Sequence, residues 1–277
     1  MSQAEKPLNV ALIGLGMVAQ THLRAVRDLA PLVQLRGVLA TTPDKAERFA
    51  AGAAEDGVHG VKAYAKLHEL LTDDGLDFAI LLTPPNARQA IVEALCSAGL
   101  PILMEKPVER DLAAATALVE TCERAGNPLG IVFQHRFRSV SEMLRKRLAE
   151  GALGELGLVE VTVPWWREQS YYDEPGRGTY ARDGGGVLIS QAIHTLDLMA
   201  WIKGDVYPNA VVSMGGRQKR TDAKFGNVYD HFVNNYEWED GTRGISQCRQ
   251  QSNTARDVNE YIHGTEGKAN VFRHQIT

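Results

Sequence analysis

Three polar side chains in an otherwise apolar segment are the first candidates for chemistry. Ser190, His194 and Asp197 are four and three residues apart, a spacing that places them along one side of an α-helix. They supply a hydroxyl, an imidazole that titrates near neutral pH and a carboxylate. The pattern is typical of an acid/base site, and equally typical of a half-buried helix with a hydrogen-bonded histidine.

A glycine-containing turn near the N-terminus indicates a nucleotide phosphate site. The apolar run 8–13 leads directly into Gly14-Leu-Gly-Met-Val-Ala19, and a helical pattern follows. The first glycine permits a tight turn, and the second lets the backbone approach a pyrophosphate that the helix N-terminus attracts. We predict dinucleotide contacts at Gly14, Gly16, Met17 and Val18. The alternative is an ordinary strand-to-helix turn.

Composition limits the classes of partner. The chain has 277 residues, 44% of them hydrophobic, and a net charge of −4, which leaves no electrostatic footprint for nucleic acid. No apolar run approaches the roughly 20 residues needed to span a bilayer, and no leader sequence is evident. We therefore expect a cytoplasmic protein without nucleic-acid or membrane partners. The three scattered cysteines indicate reduced thiols and no metal site.

The elements that position these residues follow two patterns, which predict one domain over residues 1–128 and another over 129–277. In the first, short apolar runs alternate with amphipathic segments, as in a doubly wound α/β domain with a parallel sheet. The predicted strands are 8–13, 35–39, 78–82, 102–104 and 130–133. The predicted helices are 20–30, 44–51, 65–71, 87–98 and 112–125.

The second pattern predicts an α+β domain with a largely antiparallel open sheet. The predicted strands are 158–164, 210–214, 232–238, 242–248 and 271–273, and the predicted helices are 140–150 and 186–202. The sequence Glu239-Asp-Gly241 between two strand-like runs indicates a hairpin.

Cofactor choice depends on the end of the second strand, where an acidic residue would bind the adenosine ribose and repel a 2′-phosphate. No carboxylate stands there, whereas Thr41, Thr42 and Lys45 offer hydrogen bonds and charge to a phosphate. This pattern favours NADP over NAD, although Asp44 keeps NAD open.

Several further motifs together resemble one enzyme family. Glu105-Lys-Pro107 follows a strand-like segment, Thr83-Pro-Pro-Asn86 follows another, and a Gly-Gly-Gly run ending at Gly186 precedes the His194 segment. With the glycine turn, this combination resembles the Gfo/Idh/MocA oxidoreductases over nearly the whole chain. The resemblance implies two domains, an NAD(P) cofactor, a sugar-like or cyclitol substrate, and a homo-oligomer, either a dimer or a tetramer.

The resemblance also implies roles for individual residues. Lys106 and His194 match the family's catalytic lysine and histidine, with His194 as proton acceptor and Lys106 holding the substrate oxygen. The two roles are interchangeable at this level, because a partly desolvated lysine beside a cationic nicotinamide holds its proton less tightly. Glu105 is expected to position the lysine or the cofactor. Thr83, Pro84 and Asn86 are expected at the cofactor.

The sequence departs from the family pattern at Ser190, where many relatives carry an aspartate four residues before the histidine. A hydroxyl holds no negative charge at neutral pH, so a carboxylate relay through this position is not expected. Asp197 remains, either to orient His194 or to pair with another group. We predict substrate contacts at Arg136, Tyr172, Arg177, Ser190 and Asp197.

Two alternatives to a dehydrogenase remain open: a glycosidase of the same fold that retains its NAD, and a non-catalytic dinucleotide sensor. Few residues follow Gly267, whereas family members usually continue with a further strand and helix. The chain is therefore expected to be either a compact variant or C-terminally short.

Overall fold

The computed structural model describes residues 6–250, 258–273 and 275–277. The chain divides into two compact units, Met1–Val132 and Phe133–Thr277. The predicted boundary at residue 128 precedes this division by one strand, Leu129–Val132, which pairs with the strand before it in the first unit.

The first unit alternates strands with helices. Its elements are β1 (Leu8–Ile13), α1 (Ala19–Asp28), β2 (Val33–Leu39), α2 (Pro43–Glu55), β3 (Lys62–Tyr64), α3 (Leu67–Leu71), β4 (Phe78–Leu81), α4 (Gln89–Ser97), β5 (Ile102–Glu105), α5 (Leu112–Ala125) and β6 (Leu129–Val132). The described strands form a six-stranded sheet in the order β3-β2-β1-β4-β5-β6, and every pair is parallel. The predicted doubly wound α/β fold is confirmed.

Apolar side chains on both faces of the sheet explain this arrangement. Val10 and Leu12 of β1 pack into one hydrophobic cluster, whereas Ala11 and Ile13 pack into another, because successive side chains of a strand point to opposite faces. Only helices on both sides can bury two such faces. The three-residue strand β3 was not predicted, since so short a segment carries no clear periodicity.

The second unit is an α+β domain. Its elements are α6 (Ser139–Ala149), β7 (Leu156–Pro164), α7 (Gln169–Tyr172), α8 (Tyr180–Asp183), α9 (Ile193–Ile202), β8 (Ala210–Gly216), β9 (His231–Glu237), β10 (Arg243–Arg249), β11 (Asn259–Gly264), β12 (Lys268–Asn270) and β13 (Gln275–Ile276). The described strands form a sheet in the order β13-β12-β11-β7-β10-β9-β8. Only β7 and β10 pair in parallel, so the predicted, largely antiparallel sheet is confirmed.

Of three local predictions for this unit, one is confirmed, one is wrong and one holds only in part. The hairpin is confirmed, because Gly241 N donates to Trp238 O between the antiparallel strands β9 and β10. The predicted strand 271–273 is wrong: β12 ends at Asn270 and a turn follows, because the pairing partner β11 was not recognised. The predicted helix 186–202 is interrupted by a π-helical turn, Leu188–Ala192, before α9 begins.

The described part of the chain contains neither a membrane-spanning helix nor a metal-binding cluster. No described helix is long and apolar enough to cross a membrane. Within the same residues, no group of three or more His, Cys, Asp and Glu side chains is arranged to hold a metal ion. All three cysteines are buried free thiols.

Candidate functional site

Three loops of the first unit meet at one edge of its sheet. Strands β1, β4 and β5 are neighbours and run parallel, so the segments that follow them emerge at the same edge. These segments carry the glycine turn, Thr83-Pro84 and Glu105-Lys106, in that order across the sheet. Ligands of open parallel sheets bind at this carboxyl edge.

The glycine turn has the geometry that a dinucleotide phosphate requires. Gly14 has φ +94°, and a Cβ built there would lie 2.8 Å from Thr83 N, so only glycine is accommodated without strain. A Cβ at Gly16 would meet nothing within 4 Å. Val18 caps α1 without a side-chain hydrogen bond, and the first turn holds no acidic residue. The open space and the uncapped helix N-terminus fit a bound anion.

The loop after β2 uses its polar side chains locally. Thr42 is the N-cap of α2, and its Oγ1 accepts a hydrogen bond from Lys45 N at 3.4 Å. Asp44 pairs with Arg48 at 2.6 Å, one turn further along the helix. Thr41 and Lys45 are exposed. Neither an acidic residue on the ribose nor a preformed phosphate cradle is therefore evident in this loop.

Lys106 lies directly after β5, between two residues that are held in place. Glu105 Oε1 lies 2.8 Å from Nε2 of His22, which belongs to the first turn of α1. On the other side, the carbonyl of Pro107 accepts a hydrogen bond from the Arg88 guanidinium. The Lys106–Pro107 peptide bond is cis.

Sequence reasoning missed both His22 and Arg88. His22 stands eight residues after Gly14, within the helix that the glycine turn opens, and a polar residue facing the sheet edge was the available signal. Arg88 follows the Thr83 motif closely, but nothing in the sequence shows that its side chain turns back into the protein.

In the second unit, two aromatic rings contact His194. The ring of His135 stacks on it, with centroids 5.1 Å apart and an interplanar angle of 27°. Phe133 presents its edge at 6.4 Å, and Phe272 contacts His135 edge-on at 5.8 Å. The sequence predicts a substrate contact at the neighbouring Arg136 but does not single out His135.

Asp197, one turn along α9, pairs with Arg136. Arg136 Nε donates to Asp197 Oδ2 at 2.8 Å, and Nη2 donates to Oδ1. The hydrogen bond to Asp197 raises the pKa of the guanidinium further above its usual value. This ion pair is one of the two roles considered for Asp197, and the predicted substrate contact stays a prediction.

Ser190 stands in the π-helical turn, which changes its relation to His194. The spacing rule assumed a regular α-helix, whereas a π turn contains more residues per turn and shifts the angular position of everything before it. The Ser190 hydroxyl donates to Gly186 O at 2.8 Å. Gly186 itself has no room for a side chain, because a Cβ there would lie 1.8 Å from Tyr229 O.

The loop side chains predicted to bind substrate are engaged inside the second unit. Tyr172 is buried, its hydroxyl donates to Gln250 Oε1, and burial raises its pKa to about 12. Arg177 forms ion pairs with Glu174 at 2.7 Å and Asp183 at 3.4 Å. Tyr172 is thus tied to the residue that follows β10, and Arg177 to carboxylates of its own loop region.

A buried carboxyl on β11 lies near Asp197. Glu260 is fully buried, and neither of its carboxyl oxygens has a hydrogen-bond partner within the described ranges. Burial raises the pKa of Glu260 well above its usual value, and the negative charge of Asp197 raises it further. No sequence pattern marks Glu260, because an isolated glutamate in a strand normally faces solvent.

The fold and the loops at the sheet edge define a protein with a dinucleotide-binding domain followed by an α+β domain. A family model described as an oxidoreductase family with an NAD-binding Rossmann fold matches residues 8–133, and the GFO/IDH/MocA C-terminal domain matches residues 141–270. The chain belongs to the Gfo/Idh/MocA family.

Individual relatives are distant. The chain is 28% identical over 221 residues to a D-apiose dehydrogenase of Rhizobium rhizogenes, covering 78% of this chain and 59% of that one. It is 29% identical over 195 residues to the rhizopine catabolism protein MocA of Rhizobium meliloti, covering 70% and 57%. The chain thus spans less than three-fifths of the length of these two curated relatives.

Solved structures share the fold. The WlbA dehydrogenase from Bordetella pertussis, in complex with NADH and UDP-GlcNAcA, superposes with a TM-score of 0.86 at 24% sequence identity. The match covers 99% of this chain and 77% of that one.

Proposed function

We propose that this protein is an NAD(P)-dependent oxidoreductase that transfers hydride between a nicotinamide cofactor and the CH–OH carbon of a sugar, cyclitol or sugar derivative. One observation carries the proposal: Lys106 follows β5 at the sheet edge that also bears the glycine turn. A cation at that edge is available to a substrate oxygen beside a bound dinucleotide. The name of one curated relative, a D-apiose dehydrogenase, points to the same class of substrate.

Two side chains share the proton chemistry. His194 accepts the proton of the substrate hydroxyl, and Lys106 donates a hydrogen bond to the same oxygen as negative charge develops on it. When bound, the nicotinamide supplies the hydride acceptor or donor. Glu105, held by His22, keeps the lysine segment in place. The Gly14–Val18 turn and the Thr83–Asn86 segment bind the dinucleotide.

We assign Arg136 and Asp197 to the support of α9 rather than to direct substrate binding, because each satisfies the other. We assign Tyr172 and Arg177 to the support of their loop, because Tyr172 donates to Gln250 and Arg177 pairs with Glu174. Ser190 remains a predicted substrate contact.

We propose NADP as the preferred cofactor, because no carboxylate follows β2 before Asp44 and that residue pairs with Arg48. Fluorescence titration with NADPH and NADH tests the preference. Tighter binding of NADH would overturn it and would agree with the NADH found in the WlbA structure. The cytoplasmic location remains a prediction.

Self-association through the exposed face of the second sheet is also proposed. Val212 and Met214 on the edge strand β8 are 71% and 76% exposed, and Ile245 on β10 is exposed as well. Exposed apolar patches of this kind are typical of protein interfaces. Light scattering of the wild type and of Met214→Glu tests it: a wild-type monomer would contradict the proposal.

The activity is tested by screening NAD and NADP against polyols, aldoses, uronates and nucleotide sugars while following nicotinamide absorbance. Lys106→Ala and His194→Ala should each lower kcat/KM by about 100-fold or more. The exposed residues Lys146 and His59 provide matched controls, whose alanine variants should keep wild-type rates. Turnover that survives both site substitutions would contradict the proposed mechanism. Release of a sugar fragment with no net cofactor change would indicate elimination chemistry instead.

A further inference from the structure

We propose that Arg88 is a positioning residue that holds the backbone of the loops after β4 and β5, and with the second loop Lys106. The inference rests on the role proposed for Lys106. Arg88 immediately precedes α4, and its side chain turns back into the protein, where the residue is only 2% exposed. A fully charged side chain is rarely so deeply buried unless it has a defined set of partners.

The guanidinium joins two strand-end loops. Its Nε and Nη2 donate to Thr83 O at 3.0 and 2.9 Å, in the loop after β4. Its Nη1 donates to Val108 O at 3.2 Å and to Pro107 O, in the loop after β5. The planar fork of arginine can serve acceptors on two sides at once.

The partners show what the contact does. All of these acceptors are neutral carbonyl oxygens, so the guanidinium holds backbone rather than forming an ion pair through these bonds. Burial lowers the pKa of Arg88 to about 10, and the charges of Glu105 and Glu109 oppose that shift. The cost of burying the cation is thus offset by carbonyl dipoles and two nearby carboxylates.

The position of these bonds determines their consequence for Lys106. Pro107 is the next residue in the chain, so a displacement of its carbonyl moves the Lys106 backbone. Glu105, on the other side, is held by His22 at 2.8 Å. The backbone is therefore held on both sides of Lys106, on one side by His22 of α1 and on the other by Arg88, which immediately precedes α4. Because Thr83 packs against Gly14, the same guanidinium also ties the lysine segment to the glycine turn.

The test compares Arg88→Met and Arg88→Lys in the full-length protein with Arg124→Met, an exposed control on α5. Hydrogen–deuterium exchange of the protein without ligand should show about tenfold or more faster exchange at residues 83–88 and 105–110 in Arg88→Met, with the rest of the sheet unchanged. Arg88→Lys should keep slow hydrogen–deuterium exchange in only part of these segments, because its single ammonium cannot donate fully to both loops. The control should match the wild type.

Kinetics and binding give a second readout. In Arg88→Met, kcat for the best substrate of the screen should fall by about 100-fold with little change in KM, because the substrate still binds but the lysine is misplaced. NADH affinity should weaken as the Thr83 loop loosens. Unchanged exchange at residues 105–110 overturns the proposal, and so does faster exchange spread over the whole sheet. The exchange result stands whether or not the wild type turns over any substrate, so it separates failure of this inference from failure of the proposed function.

Discussion

Arg136 binds both carboxylate oxygens of Asp197 and so joins the short helical turn Gln134–Phe137 to α9, one turn from His194. The Asp197 side chain is 9% exposed, so this ion pair is largely buried on the Asp197 side. The same turn carries His135, whose ring stacks on His194. The ion pair therefore fixes the elements on which the two imidazoles stand.

Removing the negative charge should weaken this connection. Asp197→Asn should lower the free energy of unfolding by about 1–3 kcal/mol, because Arg136 loses the largely buried carboxylate to which it donates. Urea unfolding followed by tryptophan fluorescence measures the change. Asp205→Asn is the matched control, since Asp205 is 45% exposed and lies 3.7 Å from Arg136, and its loss should cost less than about 1 kcal/mol. Equal losses in the two variants would contradict the prediction.

Glu260 should make the stability of the protein fall as the pH rises. Its pKa is raised in the folded state, whereas an unfolded glutamate titrates near about 4.3, so above that pH the folded state binds the extra proton. The stability of Glu260→Gln relative to the wild type should therefore increase from pH 4 to pH 8, as measured by urea unfolding at each pH. The exposed Glu266→Gln should show no such trend. A constant difference between Glu260→Gln and the wild type would mean that the carboxyl titrates normally.

The two glycines of the turn should respond differently to alanine. Gly14→Ala should lower stability, because of its positive φ and the 2.8 Å approach to Thr83 N. Gly16→Ala should leave stability within about 0.5 kcal/mol but weaken dinucleotide binding by about tenfold or more, because the methyl group occupies the space that the pyrophosphate needs. Thermal unfolding and NADH titration separate the two effects. Undiminished NADH binding by Gly16→Ala would place the phosphate elsewhere.

Asp73 should stabilise the first unit at neutral pH and lose this effect in acid. Arg36 donates to its carboxylate at 2.9 Å and Tyr64 at 2.8 Å; the Arg36 hydrogen bond is the main cause that lowers the pKa of Asp73 in the folded state. Its contribution is therefore complete above the unfolded pKa near 3.9 and is lost as the pH falls below about 4. Asp73→Asn should cost about 1–3 kcal/mol at pH 7 and progressively less in acid.

The control for this change is the exposed neighbour Asp74, whose Asn variant should match the wild type at every pH. A cost for Asp73→Asn that stays the same from pH 7 to pH 3 would show that the hydrogen-bond geometry, and not the charge, is what matters.

The sequence by itself determined most of the first unit, although not the short strand β3. The strand Leu8–Ile13 and the helix Leu112–Ala125 were predicted with their observed ends, because hydrophobic periodicity and Gly126 after the helix are local signals. The glycine turn was located from consecutive residues, whereas the role of Lys106 follows from the family resemblance and stays a prediction.

Only the tertiary structure decided which side chains pair with one another. Asp197 and Arg136 are 61 residues apart in the chain, and His22 and Glu105 are 83 apart, so no local pattern reports either pair. The π-helical turn at Ser190 and the inward course of Arg88 likewise depend on what packs against them. Short-range propensity specifies the elements, whereas partners are chosen by packing between segments that the sequence keeps far apart.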